Sequence, residues 1–441
     1  MKIPELPPSN LPENYSYGEV LDDLIKIGKF WELFEINNNR FPYWDKWKYI
    51  AKDWGYDSKK LWAAVQSHRT GNKLHLYENY SFRLNSPSVM QEYLHEFDMN
   101  LGGSMQSDGI IPSQQKDRYL LSSLMEEAIA SSQLEGAVTT RKLAKEMLET
   151  NRKPRNASEQ MILNNYEGMQ WIVANKDKPF TIDNILELHR IITKNTLASS
   201  TDEGAFRSDN NVNVVDVQTG EIVHHPPPHD QLAALMNAFC DFANDKLATR
   251  FFIHPIAKGI TLHFLLGYIH PFSDGNGRTA RTLFYWYLIK KGYWLIEYMS
   301  VSRIILKAKA QYARAYLHTE FDNNDLTYFI LYNLQCIKTA LEELKSYIAR
   351  KTQEKMQTIH LLRNTHFNER QIELLQEILH DQTSNYSVGQ LEKWFNVSNQ
   401  TARNDLNGLI DAGLIEFRKA GKQLLYFPAK DFVTTLQKMI H

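Results

Sequence analysis

Cysteine is nearly absent. Cys240 and Cys336 stand alone, far apart and outside any metal-ligand spacing. That excludes a disulfide framework and a thiolate zinc site, and it suits a reducing compartment. Net charge is missing too: 50 Lys and Arg face 51 Asp and Glu in 441 residues. No global field therefore argues for nucleic acid or membrane as the bulk partner. No apolar run approaches the roughly 20 residues a spanning helix needs, and the opening MKIPELPPSNLPENY lacks the apolar centre of a signal peptide. The expectation is a soluble, cytoplasmic protein with no membrane partner. Core material is plentiful, with 43% hydrophobic and 12% aromatic residues, and the length suggests about three domains at roughly 150 residues each.

Along the chain, residues 1–17 read as extended surface segment, rich in Pro, Asn and Ser. From Tyr17 to about Leu76 the apolar spacing is helical. Five of the nine tryptophans fall there: Trp31, Trp44, Trp47, Trp54 and Trp62. They suit either an aromatic ligand groove or packing, and helical spacing favours packing. Residues 77–113 read as irregular chain with one short helix. A helix at about 119–135 follows, with Leu120, Leu121, Leu124, Ile129 and Leu134 on its apolar side and Gly136 as its stop. Another covers Thr140–Asn151, capped by Thr139 or Thr140, and two more lie in 157–195, the second capped by Thr181 or Asp183. Residues 203–229 alternate at period two around QTG, the strongest hairpin signal in the first 360 residues, and Pro226–Pro228 end it. Helices then resume, up to a long one from about Asp325 to Thr358. After Asn368 the order is helix, helix, tight turn, helix and two strands, that of a winged helix. There Ser398 caps the third helix, Leu406 and Leu409 face inward, and Arg403 and Asn404 face out. The divisions expected are 1–109, 110–345, a linker helix at 346–367, and 368–441.

The stretch HPFSDGNGRTAR, His270–Arg281, concentrates the chemistry between two apolar segments. A helix ending near Ile269 presents His270 at its C-terminal edge, where the dipole favours a cation and can tune the imidazole for proton transfer near neutral pH. Gly275, Asn276 and Gly277 can aim backbone N–H groups from the start of the next helix, near Arg278, as an anion nest. Arg278 and Arg281 lie three apart and can grip a polyphosphate. Asp274 is a hard carboxylate suited to Mg²⁺ that bridges phosphate oxygens. No Ser or Cys is paired with the histidine as an enzyme nucleophile. Direct in-line attack by a substrate hydroxyl on a nucleotide phosphate, with His270 as base, is the simplest mechanism.

These twelve residues match all eight fixed positions of the signature HxFx(D/E)GNGRxxR, so the chain resembles the Fic family. HPIAKGITLHFLLGYI looks like that family's preceding helix, and the hairpin at about 212–225 resembles its target-docking flap. SSQLEG fits its inhibitory pattern (S/T)xxxE(G/N), with Ser131, Glu135 and Gly136 in place and upstream of the core. The resemblance covers about 110–345, and the winged helix resembles a frequent companion of such domains. It implies a mainly α fold: a Fic-type helical core with a β-hairpin flap, an N-terminal helical extension and a C-terminal winged helix-turn-helix domain. The activity implied is AMP transfer from ATP to a Tyr, Thr or Ser hydroxyl of a target protein. His270 would deprotonate the acceptor, Phe272 anchor the loop, and Asp274 hold Mg²⁺ on the α/β-phosphates. Gly275, Asn276 and Gly277 would cradle the phosphates, Arg278 stabilise transferring charge, and Arg281 hold the γ-phosphate. Glu135, placed where its own helix dipole opposes a carboxylate, would pair with Arg281 and keep ATP in a non-productive pose. An edge strand of the flap would take up the target segment by β-addition.

Two other readings stay open at this level. The same residues serve the reverse reaction, removal of AMP, with Glu135 orienting water. A DNA-binding regulator with a Fic sensor core is the other. Residues 368–441 hold eight Lys and Arg against nine Asp and Glu, so that module is not basic overall. Arg403, Arg418, Lys419 and Lys422 can still form a local edge toward DNA or a protein partner. The Trp-rich region is open to two uses, a homodimer face or a cover for the core.

Overall fold

The computed structural model describes residues 3–8, 16–102, 116–216, 219–363, 366–380, 385–420 and 423–440. The chain forms two compact units, Met1–Leu344 and Lys345–His441. The first opens with α1 (Tyr17–Lys26), α2 (Phe30–Arg40), α3 (Trp44–Asp53) and α4 (Ser58–His68), then the hairpin β1 (Asn72–Tyr77) and β2 (Tyr80–Leu84) and helix α5 (Ser88–Leu101). This hairpin corrects the irregular chain expected after Tyr77. Leu74, Leu76, Phe82 and Leu84 alternate inward, with the polar His75 and Arg83 between them, a period-two pattern. Trp44, Trp47 and Trp62 are buried in one cluster with Tyr328, which makes these rings packing material, while Trp31 is exposed.

A buried polar strut ties this region to the rest of the unit. Arg69 donates from Nε to Asn37 Oδ1 at 2.7 Å and from Nη2 to Pro42 O at 2.9 Å. Asp322 accepts from Gln66 Nε2 at 3.0 Å and Tyr328 OH at 2.8 Å, and pairs with Arg83 at 3.2 Å. Each buried charge is met by several donors or acceptors, the condition under which burial is tolerated.

Next come α6 (Lys116–Leu134), α7 (Arg141–Glu149), α8 (Ala157–Ala174) and α9 (Ile182–Thr193). Thr140 and Thr181 cap α7 and α9 through their hydroxyls. The expected flap is present but slight: β3 (Val214–Val215) pairs antiparallel with β4 (Ile222–His224), Val214 facing His224, and residues 217 and 218 lie outside the described set. α10 (Leu232–Ala243), α11 (Pro255–Ile269) and α12 (Asn276–Lys290) follow. Every residue of α12 from Arg278 to Ile289 is buried, as is nearly all of α11. Helices buried on all sides belong at a centre, and α12 brings Arg278 and Arg281 there with it. α13 (Val301–Lys307), α14 (Lys309–Phe321) and α15 (Thr327–Arg363) complete the sequence.

The second unit is a winged helix. α16 (Glu369–His380), α17 (Val388–Phe395) and α18 (Asn399–Asp411) precede β5 (Ile415–Ala420) and β6 (Gln423–Pro428), which pair in full register, and α19 (Phe432–Ile440). Ser387 and Gln390 form a capping box on α17, Asn396 makes the left-handed turn, and Ser398 caps α18. Leu375, Ile378, Leu391, Leu406, Leu409 and Leu414 fill its core. Arg403, Asn404, Arg418 and Lys419 are exposed; Lys422 lies outside the described residues. Among the described residues no helix is long and apolar enough to cross a membrane.

Candidate active site

The loop between α11 and α12 carries the twelve-residue motif, and its geometry follows from how the two helices end and begin. His270 is the C-cap of α11 in the left-handed region, φ 49° and ψ 56°, with its N–H on Leu266 O. Its ring Nδ1 lies 3.1 Å from Gly267 O. A carbonyl only accepts, so Nδ1 carries the proton and Nε2 keeps a lone pair. Burial lowers the His270 pKa to about 4, against the opposing bond to Gly267. Burial thus moves the ring away from the tuning toward neutral pH expected of a helix end and favours the neutral imidazole.

Phe272 is fully buried and stacks on His189, centroids 3.7 Å apart at 8°. His189, itself buried, accepts from Gly204 N at 3.0 Å through Nδ1 and faces Asp274 O at 2.9 Å through Nε2. Burial lowers its pKa to about 4. Asn276 clamps the same loop, accepting from Phe272 N at 3.0 Å and donating to Phe272 O at 2.8 Å. Its side chain is thus engaged by the loop backbone. α12 starts at Asn276, two residues before the expected start, because Gly275 supplies the N-cap at φ 83°. A Cβ on Gly275 would meet Thr193 Cγ2 at 2.6 Å, so the last turn of α9 requires a glycine there twice over.

Arg278 is wholly buried at the positive end of α12. Its Nη1 donates to Ile192 O at 3.1 Å, and Nη2 lies 3.6 Å from Asp274 Oδ2. Among the described residues its Nε and Nη2 have no hydrogen-bond partner. A buried guanidinium with idle donors beside a helix N-terminus fits a polyphosphate. The Asp274 side chain is 61% exposed, with Oδ1 accepting from Gly275 N. Asp274 would hold Mg²⁺ only together with the oxygens of a bound polyphosphate, since one carboxylate leaves most of such a shell to water and substrate. Among the described residues no cluster of three or more His, Cys, Asp or Glu could hold a metal.

Arg281 is the meeting point of two distant segments. Its Nε donates to Ser131 Oγ at 2.8 Å, and its Nη2 to Ser131 O at 3.0 Å and Glu135 Oε1 at 2.8 Å. Burial, the largest single effect, would lower its pKa, but the charge and hydrogen bond of Glu135, with Tyr312 and Glu127, together raise it. α6 ends in a Schellman turn: Ala137 N bonds Ser132 O at 3.0 Å, Gly136 N bonds Gln133 O at 3.3 Å, and Gly136 takes φ 96°. That turn puts Glu135 at the C-cap, just past the helix. Its carboxylate presses on the nest so closely that a Cβ on Gly277 would lie 2.2 Å from Oε1. Gly277 is what lets an anion sit at this helix start.

Sequence reasoning missed Glu127, Arg207 and His189. Glu127 is buried on α6 and accepts from Tyr285 OH at 2.8 Å, Ser300 Oγ at 2.9 Å and Ser302 N at 3.1 Å. Burial raises its pKa although those donors oppose the rise. It pins α6 to α12 one turn beyond Arg281. Within MEEAIASS nothing separates Glu127 from Glu126; only the helix phase relative to a partner does.

Residues 179–288 match the model of the Fic/DOC family, and residues 370–421 that of the DeoR-like helix-turn-helix domain. Over 121 residues the chain is 37% identical to the protein adenylyltransferase Fic of Aedes aegypti, covering 27% of this chain and 22% of that one. Over 118 residues it is 39% identical to the protein of that name from Nematostella vectensis, covering 27% and 25%. The chain thus spans about a quarter of the length of these curated relatives. A solved Fic family protein from Desulfovibrio desulfuricans G20 aligns with a TM-score of 0.49 at 19% identity, over 77% of this chain and 94% of that one. The Fic/DOC match takes in His189, Arg207, the hairpin and the whole motif loop, and it begins after the helix that bears Glu135.

Proposed function

Because the chain carries a Fic/DOC domain, we propose that it is a protein adenylyltransferase that moves AMP from ATP to a Tyr, Thr or Ser hydroxyl of a target protein, and that Glu135 holds it at rest. The observation that carries this reading is the buried Arg278 with idle Nε and Nη2 donors, in the same loop motif as a histidine whose Nδ1 is held by a carbonyl. The acceptor oxygen attacks the α-phosphorus, its proton passes to His270 Nε2, and the bond to pyrophosphate breaks. A neutral histidine with its other nitrogen held by a carbonyl suits that proton transfer. Arg278 and the N–H groups at the start of α12 hold the phosphate oxygens as charge moves to the leaving group. Asp274 would hold Mg²⁺, which offsets charge between the α- and β-phosphates. Phe272, Asn276 and His189 keep the loop in one shape. The 2.8 Å bond from Arg281 to Glu135 supports the resting role, since a guanidinium so engaged cannot also grip a γ-phosphate.

The flap supports a docking role through Val215 and Ile222, 47% and 48% exposed on its short strands, where an extended segment can add by main-chain pairing. The test is labelling with ATP carrying the isotope at either the α- or the γ-phosphate. Glu135→Gly should transfer label from the α-position only, and His270→Ala should transfer none. Label from the γ-position would replace this reading with a kinase.

A second reading concerns the winged helix. The exposed face of α18 presents Asn399, Gln400, Arg403 and Asn404, amide and guanidinium groups that suit base edges in a major groove. With few basic residues around them, binding would depend on sequence more than on phosphate charge. Selection of bound duplexes from a random pool by the full chain tests this, and recovery of no enriched sequence removes it.

A further inference from the structure

The C-terminus of α11 leaves orphan carbonyls, as every helix end does. Here the groups that satisfy them come from the two flanks of the flap. His224, at the end of β4, sits with Nε2 2.7 Å from Tyr268 O and Nδ1 2.7 Å from Glu320 Oε2. Both ring nitrogens face acceptors, so the ring is fixed from two sides. Arg207 stands before β3. Its backbone N–H donates to Pro271 O at 2.9 Å and its Nε to His270 O at 3.0 Å. Its other donors close the base of the flap: Nη1 reaches Asp209 O at 2.7 Å, and Nη2 reaches Pro227 O on the far flank. Asn210 Oδ1 completes the closure by accepting from His229 N at 2.8 Å. Arg207 is buried.

The carbonyls of Tyr268, His270 and Pro271 are therefore all held by flap-flanking groups. Between them sits His270 in a left-handed conformation that a non-glycine residue keeps only when its surroundings over-determine it. We propose that Arg207 and His224 are positioning residues that hold His270 in register as the base, so that the flap which docks the target segment also sets the geometry of proton abstraction. Neither side chain need touch the nucleotide, whose phosphate contacts lie on α12. The inference rests on the adenylyl-transfer reading for its kinetic consequence but not for its structural one.

The experiment uses the full chain in the Glu135→Gly background, with Arg207→Met, His224→Leu and His224→Gln. Arg207→Met and His224→Leu should lower kcat for α-phosphate transfer by about 10- to 100-fold, the scale on which a misplaced general base acts. KM for ATP should stay within about 2-fold, because the phosphate groups are untouched. His224→Gln keeps one donor for Tyr268 O and should recover most of the loss. Hydrogen–deuterium exchange of the peptide over residues 264–275 should rise in the two damaging variants. If Glu135→Gly itself transfers no AMP, the proposed activity fails while the exchange measurement still decides the positioning. Unchanged exchange, or kcat and KM for ATP moving together with the melting temperature, overturns the proposal.

Discussion

Replacing Glu135 by glycine removes one charged hydrogen bond and leaves its partner in place. Arg281 keeps both bonds to Ser131, at 2.8 and 3.0 Å, so the guanidinium stays where the proposed γ-phosphate contact requires it. The lost bond is a 2.8 Å contact between a side chain 3% exposed and one 33% exposed. Hydrogen bonds to charged groups contribute roughly 1.5–3 kcal/mol, and partial exposure of Glu135 puts this one near the lower end. At about 1.4 kcal/mol per tenfold, the ratio of blocked to open site falls about 10- to 30-fold. AMP transfer at ATP concentrations below saturation should rise by that factor. The dipole works the other way at one partner: Glu135 at a helix C-terminus is disfavoured alone by some tenths of a kcal/mol, so the pair is tighter than its exposure suggests. Glu135→Gln, which keeps a neutral hydrogen bond, should fall between wild type and Glu135→Gly. The assay is initial-rate incorporation of α-labelled AMP across an ATP titration. Equal rates in wild type and Glu135→Gly, or a fall in the variant, refute the argument.

Other consequences are testable alongside. Glu127→Gln turns an amide N–H toward donors that now meet a carboxylate, at a cost of about 1–3 kcal/mol; with Glu135 intact it should still raise AMP transfer by loosening α6, and an unchanged rate counts against the pinning role. With the His270 pKa lowered to about 4, the base is free above that value, so the rate should stay level from pH 8 to about 5 and decline only as pH nears 4; a midpoint near 6.5 contradicts the burial argument. The folded pKa values of His189 and His270 lie below the ordinary 6.5, so the stability tied to neutral rings is present above pH 6.5 and is lost as pH falls toward 4, at up to about 1.4 kcal/mol per pH unit for each group; urea titrations across that window read it directly. Phe272→Ala empties a fully buried site stacked on His189 and should cost about 3–5 kcal/mol, measured by denaturant unfolding of the first unit, with less than about 1 kcal/mol refuting the anchor.

Much of the site was legible in linear order because its parts are close in the chain. His270, Asp274, Gly275, Asn276, Gly277, Arg278 and Arg281 span twelve residues, and a helix end, a tight loop and a helix start bring such neighbours together by local geometry alone. The winged helix was legible for the same reason: caps at Ser398, periodic Leu406 and Leu409, and a two-strand alternation are local signals. The β1–β2 hairpin was not, because its inward residues are spaced by a tight turn at Glu78 with no strong turn dipeptide.

By itself the sequence determined the helix-loop-helix motif and the winged-helix pattern, since each depends on contacts within a turn or two, whereas the contact of Glu135 with Arg281 joins residues 146 apart. Only the tertiary structure decided what those groups can do. It buried His270 and so moved its pKa from neutral to about 4. It chose Glu127 over Glu126 as the pin of α6, because α6's phase against α12 determines which carboxylate meets Tyr285 and Ser302. It also brought Arg207 and His224 onto the carbonyls around His270, 63 and 44 residues from the groups they hold. Desolvation and long-range hydrogen bonds depend on what lies across a packed interface, and no window of local sequence contains that information.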